Sequence, residues 1–222
     1  MGDIKSHKRV NDILLGPLER PALQWLAAHM PAWMTPDILT GIGIVGAVLI
    51  FFSYWFSNEV PAFLWLANLG FVINWFGDSL DGTLARYRKI ERPKYGFFVD
   101  HTVDALSEVL VVMGLGLSPY VSFNVACLAL IGYMLMSVLV YIRTYVYGVF
   151  QISYGKFGPT EVRAILILLN TIMFFLGIPK IELPLGLGTI YDIPIALVAV
   201  ILAMLFAAGS IQDAIALAKV SE

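Results

Sequence analysis

Between Ile38 and Phe56 the chain runs for 19 residues without a charge, and between Val121 and Ile142 it does so again for 22. An α-helix rises about 1.5 Å per residue, so about 20 apolar residues suffice to cross the hydrocarbon core of a bilayer. Runs of this kind recur along the chain, and they predict an all-α integral membrane protein rather than one or two soluble domains. The composition agrees: 59% of the 222 residues are hydrophobic and 14% charged, whereas soluble domains carry about 25% charged residues.

Six transmembrane helices are expected. The first covers Ile38 to Phe56, with Thr35 or Asp37 near its N-cap and Gly41, Gly43 and Gly46 as close-packing positions. The second runs from about Ala62 to Arg88, the third from Gly96 to Leu117, the fourth from Val121 to Ile142, the fifth from Glu161 to Gly177 and the sixth from Ile193 to Ile211. Ahead of them, residues 8–30 mix leucines with Lys8, Arg9, Glu19 and Arg20 and read as an interfacial amphipathic helix, interrupted at Pro17 and Pro21. The Tyr- and Gly-rich stretch around 144–163 reads as a helix end and a surface loop, and the Pro- and Gly-rich stretch 180–192 as a loop. The chain therefore divides into an N-terminal segment (1–34), a six-helix membrane domain (35–217) and a short tail (218–222).

Six crossings place both termini on one side of the membrane. Sorting the fourteen lysines and arginines by loop puts only Lys180 on the other side. By the positive-inside rule the side with the other thirteen is the cytoplasm. The single Cys127 excludes an intramolecular disulfide and a cysteine-based metal centre, and His7, His29 and His101 are too scattered for a zinc site. The net charge of −2 carries no information about partners, no nucleic-acid partner is expected, and no cleaved signal peptide is read at the N-terminus.

Against this apolar background, Gly77 to Glu108 contains Asp78, Asp81, Asp100 and Asp104. A charge at mid-bilayer costs about 2.5–3.5 kcal/mol on insertion scales, so four unpaired carboxylates would cost on the order of 10 kcal/mol. Asp78, Asp81, Gly82 and Ala85 share roughly one face of the second helix, and Asp100 and Asp104, four apart, share one face of the third. Antiparallel packing of these two helices across the short basic linker would converge the carboxylates into an all-oxygen site suited to Mg²⁺ or Mn²⁺, and two such ions about 4 Å apart would neutralise them. Gly82 and Ala85 leave room beside the metals, and Arg86 adds a fork of donors suited to phosphate. Together they suggest a diphosphate held between metals and arginine. Intramembrane acids also form ion pairs or line cation paths, so a cation-coupled transporter is the competing class, although no broken helices or repeated halves are visible.

The pattern Asp78, Asp81, Gly82, Ala85, Arg86, then Gly96, Asp100, Asp104 resembles the D-x2-D-G-x2-A-R … G-x3-D-x3-D signature of the CDP-alcohol phosphotransferases (CDP-alcohol phosphatidyltransferases). All eight signature residues are present, with nine residues instead of about eight between Arg86 and Gly96. The resemblance implies that Asp78, Asp81 and Asp100 are metal ligands, and that Asp104 lies near the metals as general base. It further implies that Gly82, Ala85 and Arg86 border the CDP moiety, with Gly96 completing the motif. Pro36-Asp37-Ile38-Leu39-Thr40 is similar to the family's P-[DN]-x2-T beside the nucleotide, and is equally consistent with an ordinary helix N-cap. A hydroxyl of the acceptor alcohol would attack the phosphorus distal to cytidine and release CMP.

Members take either CDP-diacylglycerol with a polar alcohol, or CDP-choline or CDP-ethanolamine with diacylglycerol. Asp100-His101-x2-Asp104-x-Leu106-Ser107 and Gly158-Pro159-Thr160-Glu161 look like motifs of the second group, in which His101 would assist proton transfer and Glu161 would sit near it or the head group. The chain length and six helices look like the first group. Arg143, Lys156 and Arg163 form a basic group that would bind a phosphorylated acceptor or simply anchor the cytoplasmic face. The resemblance also implies a homodimer.

Overall fold

Four helices begin at or next to a proline, where the missing N–H is one no helix could satisfy and the fixed φ is already helical. The structure, a computed structural model, describes residues 8–10, 14–151, 158–183 and 186–219. In chain order it contains a short strand β1 (Lys8–Val10), α1 (Gly16–His29), α2 (Pro36–Phe56), α3 (Phe63–Arg88), α4 (Pro93–Leu117) and α5 (Phe123–Tyr147). Then come β2 (Val149–Gln151), α6 (Pro159–Leu176), β3 (Lys180–Leu183), β4 (Gly186–Thr189) and α7 (Asp192–Leu217). The helices begun by prolines are α1, α2, α4 and α6. Thr35 is the N-cap of α2, its side chain accepting the Ile38 N–H at 3.2 Å.

The protein is all-helical apart from short strand pairs, and α2, α5, α6 and α7 are long and apolar enough to cross a membrane. It is a multi-pass membrane protein. Helices α3 and α4 are as long but carry more polar residues, Asn68, Asn74, Asp78 and Asp81 on α3 and Asp100, Asp104 and Glu108 on α4.

α2 is the centre of the bundle and packs on both α3 and α4. Glycines make the approach to α3 unusually close: a Cβ at Gly46 would lie 2.6 Å from the Asn74 nitrogen, and one at Gly77 would lie 2.3 Å from the Gly43 nitrogen. On the other side Gly114 of α4 fits against the backbone of Phe51, where a Cβ would come within 2.8 Å. Small residues at helix crossings are how helices in lipid gain packing energy. Gly43 and Gly46 thus act as expected, whereas nothing lies within 4 Å of a Cβ placed at Gly41. α5 pairs with α7, α6 lies on α3, and α1 lies across the end of α3, where Leu23 and Ala27 join Leu39, Leu80 and Leu84 in a small core.

Three local expectations are corrected. α1 is continuous: Pro17 starts it and Pro21 is tolerated within it, on an exposed face where the Pro17 carbonyl, which Pro21 has no N–H to meet, is open to solvent. Residues 8–10 are not helical but pair in parallel with Val149–Gln151. The stretch after α6 is a β-hairpin, with Lys180 opposite Thr189 and Leu183 opposite Gly186, rather than an irregular loop.

The hairpin end is knitted by Asp192, which accepts from the Ser122 N–H (2.7 Å), the Ser122 hydroxyl (2.8 Å) and the Thr189 N–H (2.7 Å). Lys180 sits at this end, and the other described basic residues sit at the opposite one. Lys5, His7 and Lys156 lie outside the described residues.

Candidate active site

The acidic face of α3 is held from two sides. On the α2 side, the Thr40 hydroxyl donates to Asp81 Oδ2 at 2.6 Å, and Asp81 Oδ1 accepts the Gly82 N–H at 2.5 Å. On the α6 side, Arg163 Nη2 donates to Asp78 Oδ2 at 2.6 Å and Arg163 Nε donates to Asn74 Oδ1 at 2.9 Å. Asn74 in turn donates to the Gly43 carbonyl at 2.9 Å.

α4 supplies the opposing face. Asp100, His101 and Asp104 have ligand atoms within 4.8 Å of one another, and His101 Nδ1 lies 3.4 Å from Asp100 Oδ2. The His101 ring is flanked by Phe97 (4.1 Å between centroids) and Tyr141 of α5 (5.5 Å). The two faces meet where Asp104 comes within hydrogen-bonding reach of Asp78, while Asp81 is in electrostatic contact with Asp78 and Asp100. One turn deeper, Glu108 is hydrogen-bonded to Tyr133 of α5.

All four signature aspartates and His101 are therefore brought together, though not by direct packing of α3 on α4. The two helices each pack on α2 instead, because its glycines and Gly114 let both backbones approach it closely. The space between α3 and α4 is left to the side chains. Four carboxylates facing one space suit a hard divalent cation, with oxygen donors and negative charge that such an ion would neutralise.

The expected nucleotide residues line the polar end of the same helices. Gly82 lies against Arg86, whose Nη1 would be 3.2 Å from a Cβ there, and Arg86 Nη2 also donates to Thr83 at 3.1 Å. Ala85 is partly exposed and Gly96 exposed, with nothing within 4 Å of where its Cβ would be. Asp37 pairs with Arg92, which in turn lies 4.0 Å above the Tyr95 ring. Hydrogen bonding to Asp37 raises the Arg92 guanidinium further above its ordinary value.

Of the expected basic group, Lys156 lies outside the described residues, Arg143 is paired with Asp213 of α7 at 2.5 Å, and Arg163 reaches Asp78. Glu161 is buried and spends both oxygens on backbone, accepting from Leu15 N–H at 2.7 Å and Gly158 N–H at 2.9 Å. It clamps α1 to the start of α6.

Sequence reasoning passed over Asn74, Tyr133, Tyr141 and Glu19. Asn74 had a usable signal, a lone amide in an apolar run four residues before Asp78 and so on the same helix face.

The sequence model of the family described as CDP-alcohol phosphatidyltransferase matches residues 33–218. A cholinephosphotransferase 1 from Danio rerio is 31% identical over 164 residues, covering 69% of this chain and 42% of the relative. An archaetidylinositol phosphate synthase from Pyrococcus horikoshii is 34% identical over 105 residues, covering 47% and 52%. The chain thus spans about half the length of these relatives. Among solved structures, apo phosphatidylinositol phosphate synthase from Mycobacterium tuberculosis matches with a TM-score of 0.55 at 19% identity, over 84% of this chain and 91% of that one.

Proposed function

The chain belongs to the CDP-alcohol phosphatidyltransferase family, and on that premise we propose that it moves a substituted phosphate from a CDP-alcohol to the hydroxyl of an acceptor alcohol, releasing CMP in phospholipid synthesis. The observation that carries this reading is the meeting of Asp104 with Asp78 across the space between α3 and α4. It brings a proton acceptor into the carboxylate set that would hold the metal ions beside the donor's diphosphate.

Asp78, Asp81, Asp100 and Asp104 would hold Mg²⁺ or Mn²⁺, in two sites, and such ions when bound offset the charge that develops on the transferred phosphate. Asp104, with His101 beside it, takes the proton from the acceptor hydroxyl. The hydroxyl oxygen then bonds to the distal phosphorus as the bond to the CMP oxygen breaks. Thr40 fixes the Asp81 carboxylate. Asp37, Gly82, Ala85, Arg86 and Gly96 form the CDP-facing rim, where the Arg86 fork suits the diphosphate oxygens. Of the three proposed acceptor contacts, Arg163 is supported by its contact with Asp78, whereas Arg143 and Glu161 are engaged elsewhere.

The reading takes six membrane crossings, with α3 and α4 added to the four apolar helices, and the basic residues gathered at the end away from Lys180 support a cytoplasmic site and cytoplasmic termini. A homodimer completes the reading. For the donor, the Asp100-His101 motif and the cholinephosphotransferase relative favour a CDP-amino alcohol with diacylglycerol, while the archaetidylinositol phosphate synthase relative favours the other group, a CDP-lipid donor with a polar alcohol. The deciding assay offers purified protein CDP-choline, CDP-ethanolamine or CDP-diacylglycerol against diacylglycerol or polar alcohols, with Mg²⁺ or Mn²⁺, and follows CMP. A cation-coupled transporter, the competing class, would release none, and no CMP with any pair would sink the proposal.

A further inference from the structure

Asn74 is 5% exposed and uses both ends of its amide. Nδ2 donates to the Gly43 carbonyl of α2 and Oδ1 accepts Nε of Arg163 from α6, both at 2.9 Å. A guanidinium is planar and its donors point in fixed directions. Holding Nε on Asn74 and Nη2 on Asp78 therefore determines where Nη1 points. Nη1 is buried and makes no hydrogen bond among the described residues. Buried polar donors are nearly always paired, and one left over at a charged site calls for an acceptor from outside the protein.

The acceptor's chemistry follows from the donor. A guanidinium nitrogen prefers an anionic oxygen, forming a shorter and stronger hydrogen bond than with a neutral one. Glu108 is in electrostatic contact with Arg163, but its hydrogen bond is to Tyr133. We propose that Asn74 is a positioning residue of this site, aiming the Arg163 guanidinium so that Nη1 meets an oxygen of a phosphate group. This rests on the transferase reading above. The phosphate has two sources, the group being transferred or a phosphate carried by the acceptor alcohol, and the kinetics separate them.

The polarity of the bond supplies the test. Asn74→Leu removes both hydrogen bonds at similar volume. Asn74→Asp keeps an oxygen for Arg163 Nε while removing the donor to Gly43. Purified full-length wild type, both variants and Arg163→Gln are assayed for CMP release with whichever donor and acceptor pair the wild type uses, and their thermal midpoints are measured in parallel. We expect kcat/KM to fall about 10- to 100-fold in Asn74→Leu, as when other residues that orient a site are lost, and to recover most of that in Asn74→Asp. A fall in kcat with both KM values kept assigns the oxygen to the transferred phosphate. A rise confined to the acceptor KM assigns it to an acceptor phosphate.

Wild-type kinetics in Asn74→Leu overturn the inference, as does a loss in Asn74→Asp equal to that in Asn74→Leu, which marks a purely structural amide. If Asn74→Leu does not fold, Asn74→Asp and Arg163→Gln decide: near-wild-type activity in the first with a 10-fold or greater loss in the second supports it, and any other pattern overturns it. Wild-type protein that releases no CMP sinks the transferase reading itself.

Discussion

The Thr40 hydroxyl donates to Asp81 Oδ2 at 2.6 Å, joining residues 41 apart in the sequence and tying the start of α2 to the acidic face of α3. With the Gly82 N–H on its other oxygen, the Asp81 carboxylate has both its oxygens engaged and one orientation to adopt. Replacing Thr40 by Val keeps the shape and removes the donor. We expect Thr40→Val to lower kcat/KM for CMP release about 10- to 100-fold, with a thermal midpoint within a few degrees of wild type, and Thr40→Ser to retain most activity. Full activity in the Val variant would show that this bond does not orient Asp81 for turnover.

Asp104 stands where the α4 face reaches Asp78, and the base assignment depends on it. Asp104→Asn preserves volume but cannot take a proton. CMP release should disappear while CDP still binds, as measured by its protection against thermal unfolding. Wild-type turnover in this variant would remove the assignment.

Patterns along one helix were readable because they obey a local rule. Asp78 and Asp81, or Asp100 and Asp104, share a face by spacing alone, and the signature could be recognised from the chain. Pairings between distant segments obey no such rule. Arg143 with Asp213 spans 70 residues and Leu15 with Glu161 spans 146, so nothing in the sequence separated Arg143 from Arg163 or marked Glu161 as a clamp. The hairpin after α6 was hidden by its own Pro and Gly content. The role of α2 between α3 and α4 depends on how closely backbones approach, which glycine positions hint at but do not determine.

That close approach is testable by adding one methyl group. A Cβ at Gly77 would lie 2.3 Å from Gly43 N and 2.5 Å from the Leu39 carbonyl, both backbone atoms that cannot swing aside. Gly77→Ala should destabilise by about 1–3 kcal/mol or more through overpacking, and lower activity by separating Thr40 from Asp81. Gly41→Ala, with nothing within 4 Å, should be neutral or slightly stabilising. Thermal unfolding of the two variants in the same detergent makes the comparison. Equal midpoints would refute the account of the α2–α3 contact.

Glu19 does on α1 what Glu161 does on α6, joining elements far apart in the chain. Its Oε1 accepts from the Trp75 indole of α3 at 2.7 Å and from the Thr160 hydroxyl of α6 at 2.8 Å. Thr160 adjoins Glu161, which holds Leu15, so α1 and α6 are fastened to each other at two points and to α3 at a third. Arg163, two residues after Glu161 on α6, reaches Asp78. Loosening α1 should therefore be felt at the aspartates. Glu19→Ala leaves two partly buried donors without an acceptor, worth about 1–3 kcal/mol, whereas Glu19→Gln retains an oxygen that both can use. We expect the Ala variant to unfold at lower temperature, to be cleaved more readily by protease around residues 14–30 and to show weakened turnover, with the Gln variant close to wild type in all three. If Glu19→Ala behaves as wild type, α1 contributes nothing to the site beyond its contact with α3; if Glu19→Gln fails as badly as Ala, the charge rather than the shared acceptor is what fastens the helix.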